Sequence, residues 1–279
     1  MKAKLILGLS LCIALPAAAF DFGNIDWKKA AETVQKVQKA NKDFSEPQEI
    51  ELGDGIASSL LGAAPLLDNP AVQRYVNRVG RWLAMQAERP DLPWQFGVLD
   101  DNDVNAFAAP GGYVFITKGL LARMNSEAEL AGVLAHEISH VLRKHHLQAL
   151  KKGARSELMS DLANDAIKSH GGDPRLTKLV SAGTEIYARG LDKEDEFEAD
   201  RMGIVIAARA GYDPYGLPAV LQTLQSLNPS DSKLALMFKT HPALGDRLGL
   251  LDQLMSGQFD AMENQPDLSA RFVSQLGAK

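Results

Sequence analysis

The run His136-Glu137-Ile138-Ser139-His140 constrains this chain more than any other feature. Two histidines four residues apart lie on one face of an α-helix, about 6 Å apart along its axis. At that separation both imidazoles reach one metal ion, with bonds of roughly 2.0–2.1 Å if the ion is zinc. Glu137 sits about 100° around the helix from His136 and addresses a water beside the metal, as a general base does. The fold must therefore bury a polar helix and bring a further ligand to it from elsewhere in the chain.

The helix itself is legible. Ser126 and Glu129 read as a Ser-x-x-Glu capping box at its start. Leu130, Val133, Leu134, Ile138, Val141 and Leu142 then recur at helical spacing, and the pattern predicts a helix to about Leu150. His146 stands ten residues after His136, where a metzincin-type site carries its third histidine. That arrangement needs a glycine seven residues after the first histidine, and Arg143 occupies the position. With the helix continuing, His146 lies about 15 Å up the axis and out of range. His145 and His146 are expected to face water with Arg143 and Lys144, at the end of the helix that favours positive charge.

The better third ligand is Glu196, in the acidic run Asp195-Glu196-Phe197-Glu198-Ala199-Asp200. On a helix, Glu196 and Asp200 share a face with Ala199, Gly203 and Ala207, whereas Glu198 points roughly opposite. Small residues on that face allow close approach to another backbone, and Gly132 offers a matching small position on the first helix. Glu196 then completes a two-His, one-Glu site with a place left for water. Asp200, one turn on, is placed to accept the free ring N–H of a ligand histidine and fix its tautomer.

These motifs resemble metallopeptidase family 48, which includes the HtpX-like proteases, the CaaX prenyl proteases and soluble periplasmic or mitochondrial relatives. His136–His140 and Glu196–Asp200 carry the resemblance. Asn105–Thr117 looks like the family's edge-strand region, and Thr240-His241-Pro242 with Arg247 looks like its late His-Pro…Arg element. The resemblance covers roughly residues 56–252. It implies a zinc-dependent gluzincin endopeptidase with one Zn²⁺ per chain, held by His136, His140 and Glu196, with Glu137 as general base. His241 either donates to the oxyanion or swings in as a fourth ligand that shuts the site. Arg247 either supports the oxyanion or pairs with acidic residues nearby. Tyr113–Ile116 is apolar, β-branched and aromatic after a Pro-Gly-Gly turn, hence a strand. As an edge strand, Gly112, Tyr113, Val114 and Phe115 would pair with an extended substrate backbone.

Targeting signals narrow the setting. Met1–Lys4 is a short basic stretch, Leu5–Leu15 an apolar run too short to span a bilayer, and Ala17-Ala18-Ala19 a small-residue cleavage site. A signal peptide over residues 1–19 sends the mature chain to the periplasm and moves its formal charge from −5 to −7, because Lys2 and Lys4 leave. No basic stripe suits nucleic acid. The single cysteine, Cys12, lies within the signal, so neither a thiol nucleophile nor a thiolate-closed structural zinc site is available. After the signal no apolar run is long enough to cross a membrane, and Lys151–His170 is polar. Trp27–Ala40 follows helical spacing; packing on the domain or an interfacial membrane role both fit it.

The expected architecture is α+β, mainly α: a zincin-like metallopeptidase domain with a small sheet whose edge strand borders the site. Residues 20–55 form an N-terminal helical extension, 56–254 the zinc domain, and 255–279 a loosely attached tail. The partners expected are unfolded or misfolded cell-envelope proteins, to be cleaved in quality control. The alternative is a chaperone-like assembly factor that holds them while His241 keeps the zinc latent.

Overall fold

A computed structural model describes residues 44–152, 190–228, 230–241, 244–262 and 265–277. The expected signal segment, the helix expected over Trp27–Ala40, the polar stretch after Lys152 and Pro242 lie outside the described residues. Helix α1 (Glu46–Ala63) precedes α2 (Pro70–Ala84), a sheet of β1 (Gln95–Leu99), β2 (Ala106–Ala109) and β3 (Tyr113–Thr117), and the short α3 (Lys118–Leu121). Then come α4 (Glu127–Leu142), α5 (Lys193–Arg209), α6 (Gly216–Ser226), α7 (Ala235–Thr240), α8 (Leu244–Met255) and α9 (Ser269–Leu276). The architecture is mainly helical with one small mixed sheet. The expected boundary at residue 55 falls inside α1, which is continuous across it.

The sheet order is β1-β3-β2, with β3 parallel to β1 and antiparallel to β2. This corrects one expectation. Tyr113, Val114 and Phe115 belong to the central strand, bonded on both sides, and Gly112 is in the turn before it. Gly111 and Gly112 take φ of +78° and +103° there, which tightens the β2–β3 hairpin. The strand that ends the sheet on the side of the candidate site is β2.

Pro70 opens α2 behind Asn69, whose side chain accepts from the N–H groups of Ala71 and Val72. Ser126 Oγ accepts from Glu129 N–H at 3.1 Å, but Glu129 reaches back to Asn125 N–H rather than to Ser126. Every residue of α4 is buried, so this helix is the axis of the domain. At its first turn the buried Glu127 accepts from Tyr75 Oη and Tyr212 Oη, each at 2.9 Å, and from Arg271 Nε at 2.6 Å. That carboxylate also favours the positive end of the helix dipole.

The C-terminal segment is not a loose tail. Phe272 of α9 is fully buried in the main core beside Tyr75, and the described residues form one compact unit. Among the described residues no helix is long and apolar enough to cross a membrane.

Candidate metal centre

Helix α4 stops at Leu142, eight residues before the expected end. Arg143 caps it, and Lys144 adopts φ +58°, a left-handed conformation that a β-carbon disfavours. An ion pair steadies the turn: Lys144 Nζ lies 3.1 Å from the buried Glu49, which Arg89 also grips at 2.9 Å. The chain changes direction and resumes as helix over 145–152. His145 and His146 are consequently buried rather than solvated. The imidazole centroid of His146 lies 5.6 Å from that of His140.

Helices α4 and α5 meet where Gly203 faces the backbone of His136. A β-carbon at 203 would sit 2.9 Å from His136 N. The small residue expected to match on α4, Gly132, instead receives the backbone of Leu217 on α6. This close approach sets Glu196 and Asp200 opposite the two histidines.

One donor atom each from His136, His140, Glu196 and His241 falls within a 4.8 Å cluster. His136 Nε2 and His140 Nε2 are 3.0 Å apart, and the Glu196 oxygens lie 3.6 and 3.5 Å from them. Tetrahedral ligands on bonds of roughly 2.0–2.1 Å are separated by about 3.3 Å, so these three positions suit one zinc-sized ion. The chemistry agrees. His136 Nδ1 lies 2.9 Å from Asp200 Oδ1, although its N–H is not aligned with that contact. His140 Nδ1 lies 2.9 Å from His145 Nδ1. With a proton on each Nδ1, both Nε2 lone pairs converge beside a carboxylate, an arrangement that a cation relieves.

Glu137 is buried beside them, and its Oε2 has no partner. Burial pushes its carboxyl up, against the opposing effects of His241 and His136. Burial also raises Glu196, but His241, Arg247 and His136 outweigh it and hold that carboxyl down at about 2. Arg247 grips Asp200 through Nε at 2.7 Å and Nη2 at 2.6 Å, and reaches Glu196 with Nη1 at 3.0 Å. Of the two roles open to Arg247 in the sequence, its contacts are those of pairing with acids. His241 Nδ1 donates to Glu196 at 3.0 and 3.2 Å, and its Nε2 lies 4.0 Å from Glu137.

The cleft in front of Glu137 and His241 is walled by Ala106–Ala108 of β2, with His146 and Thr240. Gly112, Tyr113, Val114 and Phe115 do not line it. Sequence reasoning placed His145 and His146 in solvent and so missed both. Both depend on Lys144 turning left-handed, for which a lysine gives no signal.

Residues 70–255 match the model of peptidase family M48. The chain belongs to that family. It is 30% identical over 245 residues to the β-barrel assembly-enhancing protease of Escherichia coli (strain K12), covering 85% of this chain and 50% of that protein. A putative β-barrel assembly-enhancing protease of Vibrio cholerae is 31% identical over 245 residues, again 50% of that protein. The mitochondrial metalloendopeptidase OMA1 of Schizosaccharomyces pombe is 26% identical over 179 residues, 64% of this chain and 52% of the relative. This M48 chain thus spans about half the length of these relatives. Its candidate ligands, Glu137, Asp200, His241 and Arg247 all fall inside the matched region.

Proposed function

We propose that this M48 chain is a zinc-dependent endopeptidase of the periplasm, acting on unfolded or misassembled cell-envelope proteins. One observation carries the reading. His136 Nε2, His140 Nε2 and the Glu196 oxygens converge at 3.0–3.6 Å beside Glu137, whose Oε2 lacks a partner. Zinc held by His136, His140 and Glu196 supplies Lewis acidity, polarising a carbonyl and lowering the pKa of water toward about 7.

Glu137 does the proton work. Its carboxylate takes a proton from the attacking water and passes it to the amine nitrogen as the peptide bond breaks. A carboxyl pushed up by burial suits a group that must hold a proton between those transfers. His241 stands on the same side and donates a ring N–H to the developing oxyanion. Arg247 acts through Asp200 and Glu196 as a positioning residue rather than on reacting atoms. An extended substrate runs along β2, the strand that walls the cleft. The signal-like leader supports the periplasmic setting. The relatives' name, β-barrel assembly-enhancing protease, supports envelope proteins as clients.

A second reading has its own support. His241 Nδ1 is already 3.0 Å from Glu196 Oε2 and belongs to the same donor cluster. As a fourth ligand it would keep the zinc latent, and the chain would hold unfolded envelope proteins instead of cutting them.

The test is hydrolysis of an unfolded protein by the zinc-loaded chain, with Glu137→Gln and His241→Ala run alongside. Cleavage by the parent, lost in Glu137→Gln while that variant keeps its zinc, supports the endopeptidase. Faster cleavage by His241→Ala identifies a restraint, and slower cleavage an oxyanion donor. If neither the parent nor His241→Ala cleaves with zinc bound, the endopeptidase reading falls and the holding factor stands.

A further inference from the structure

The outer face of α2 carries Arg74, Arg78 and Arg81, spaced so that all three point the same way. All three are exposed, and Trp82 and Met85 extend that face at 46% and 64% exposure. The opposite face is buried through Tyr75, Val76, Val79 and Leu83, which holds the helix firmly in the core. Trp82 is fixed as well, because its indole N–H donates to Ala210 O at 2.8 Å.

Arg89, Arg143, Arg247 and Arg271 each pair with a carboxylate. Among the described residues Arg74, Arg78 and Arg81 do not, and Arg78 donates instead to Gln275 Oε1 of α9 at 3.3 Å. Like charges three and four residues apart weaken a helix, so the cluster is placed against local stability. General basicity does not explain it, since the chain carries a formal charge of −5. Between α2 and α9 an open trough of about 490 Å³ is lined by the three arginines with Ala71, Asn77 and Gln275. Every polar side chain in that lining is a guanidinium or an amide. Arginine, tryptophan and methionine are enriched in protein interfaces, and the first two dominate their hot spots. None of these residues lines the cleft or belongs to the donor cluster.

We propose that this face docks an acidic helix of a partner protein, with carboxylates at i, i+4 and i+7 on the three arginines and an apolar end over Trp82 and Met85. The arginines step about 6 Å and then 4.5 Å along the axis, and a helix lying beside α2 repeats those steps with that pattern. A bilayer is the poorer match. Interfacial helices insert an apolar face, and the apolar face of α2 is buried in the core. The inference does not depend on what the metal centre does.

The test uses the whole chain and fluorescent helical peptides read by anisotropy. One peptide carries Glu at i, i+4 and i+7 followed by two Leu, a second reverses that order, and a third scatters the same residues round the helix. One of the first two should bind about tenfold or more tighter than the third, and added salt should weaken it. Arg74→Ser and Arg81→Ser, neither of which removes an observed hydrogen bond, should each weaken binding about fivefold or more. The double variant Arg74→Glu, Arg78→Glu should reject the Glu peptide and take its counterpart with Lys. Zinc retention should stay that of the parent throughout. No binding, equal binding of all three peptides, or binding indifferent to the arginine variants overturns the proposal. Arginine-dependent adsorption to phosphatidylglycerol vesicles without peptide binding would make the occupant a membrane. Arginine-dependent self-association in sedimentation without peptide binding would make it a second copy of this chain. Either result overturns the acidic-helix partner.

Discussion

His140 and His145 face each other through their Nδ1 atoms at 2.9 Å. With His140 Nε2 turned to the donor cluster, its proton belongs on Nδ1 and His145 accepts it. His145 then carries its own proton on Nε2, toward Glu198 at 3.4 Å and Asp195 at 3.7 Å. Such outer partners orient a ligand histidine and raise its basicity. His145→Leu should lower zinc affinity about 10–100-fold in a chelator competition. His145→Gln, which keeps an acceptor, should recover part of it. Unchanged affinity in His145→Leu would remove the residue from the site.

The acidic run of α5 divides by face. Glu196 is fully buried against the two histidines, whereas Glu198 is partly exposed and pairs with Arg143 at 3.1 Å. Glu196→Ala should abolish zinc retention on dialysis. Glu198→Ala, which reaches the ligands only through His145, should cost at most about 10–100-fold in affinity. Equal zinc loss from both variants would sink the assignment of Glu196 as ligand.

Much of this centre is legible in the sequence because it lies on helices whose period is fixed. Four-residue spacing puts His136 with His140 and Glu196 with Asp200, and small residues on α5 announce a close contact. Which α4 residue meets Gly203 is not legible, because two helices can cross at several registers. Gly132 is equally suitable by size and serves α6 instead. The sheet misleads for a related reason. Tyr113–Thr117 carries the strongest strand pattern because it is buried between two neighbours, and that same burial makes it central. The alanine-rich β2 gives a weaker signal yet borders the cleft. His145 and His146 are obscured by a turn that depends on Glu49, nearly a hundred residues earlier in the chain.

Gly203 is the contact on which the spacing of α4 and α5 rests. Valine there would drive a side chain into His136 N and Cα, at 2.9 and 3.1 Å from the new β-carbon. Overpacking of this kind costs about 1–3 kcal/mol. Gly203→Val should lower stability by that amount and loosen zinc, since Glu196 and Asp200 move with α5. Gly249 on α8 is the control, because a β-carbon added there meets nothing within 4 Å. Gly249→Ala should gain about 0.5–1 kcal/mol through helix propensity. Urea denaturation of both variants, with zinc competition, checks the pair.

Glu49 links acid stability to the turn that buries His145. Burial raises its carboxyl, but hydrogen bonds and charge from Arg89 and Lys144 outweigh this, and its pKa is lowered. A lowered folded value means the stabilisation is complete above the unfolded pKa of about 4.3 and is lost as pH falls through the folded value. Thermal unfolding should therefore show a steeper fall below about pH 4.3 in the parent than in Glu49→Gln. At neutral pH the variant should be less stable by about 1.5–3 kcal/mol, the range for hydrogen bonds to charged groups. Parallel pH profiles would mean that the Glu49 charge does not hold the turn.

Glu127 anchors three separate stretches of chain to the first turn of α4: Tyr75 of α2, Tyr212 after α5 and Arg271 of α9. Its side chain is buried, whereas that of Arg271 is half exposed. Removing Arg271 leaves the carboxylate with two hydroxyl donors and costs a partly screened ion pair, about 1 kcal/mol. Removing Glu127 strands two buried phenols and opens space under the helix, which should cost about 3–5 kcal/mol. Urea denaturation of Arg271→Ala and Glu127→Ala should show that order. Deleting residues from 269 onward should cost more than Arg271→Ala, because Phe272 leaves the core with it. If the deletion and Arg271→Ala cost the same, α9 is held by its ion pair alone and Phe272 contributes nothing to the core.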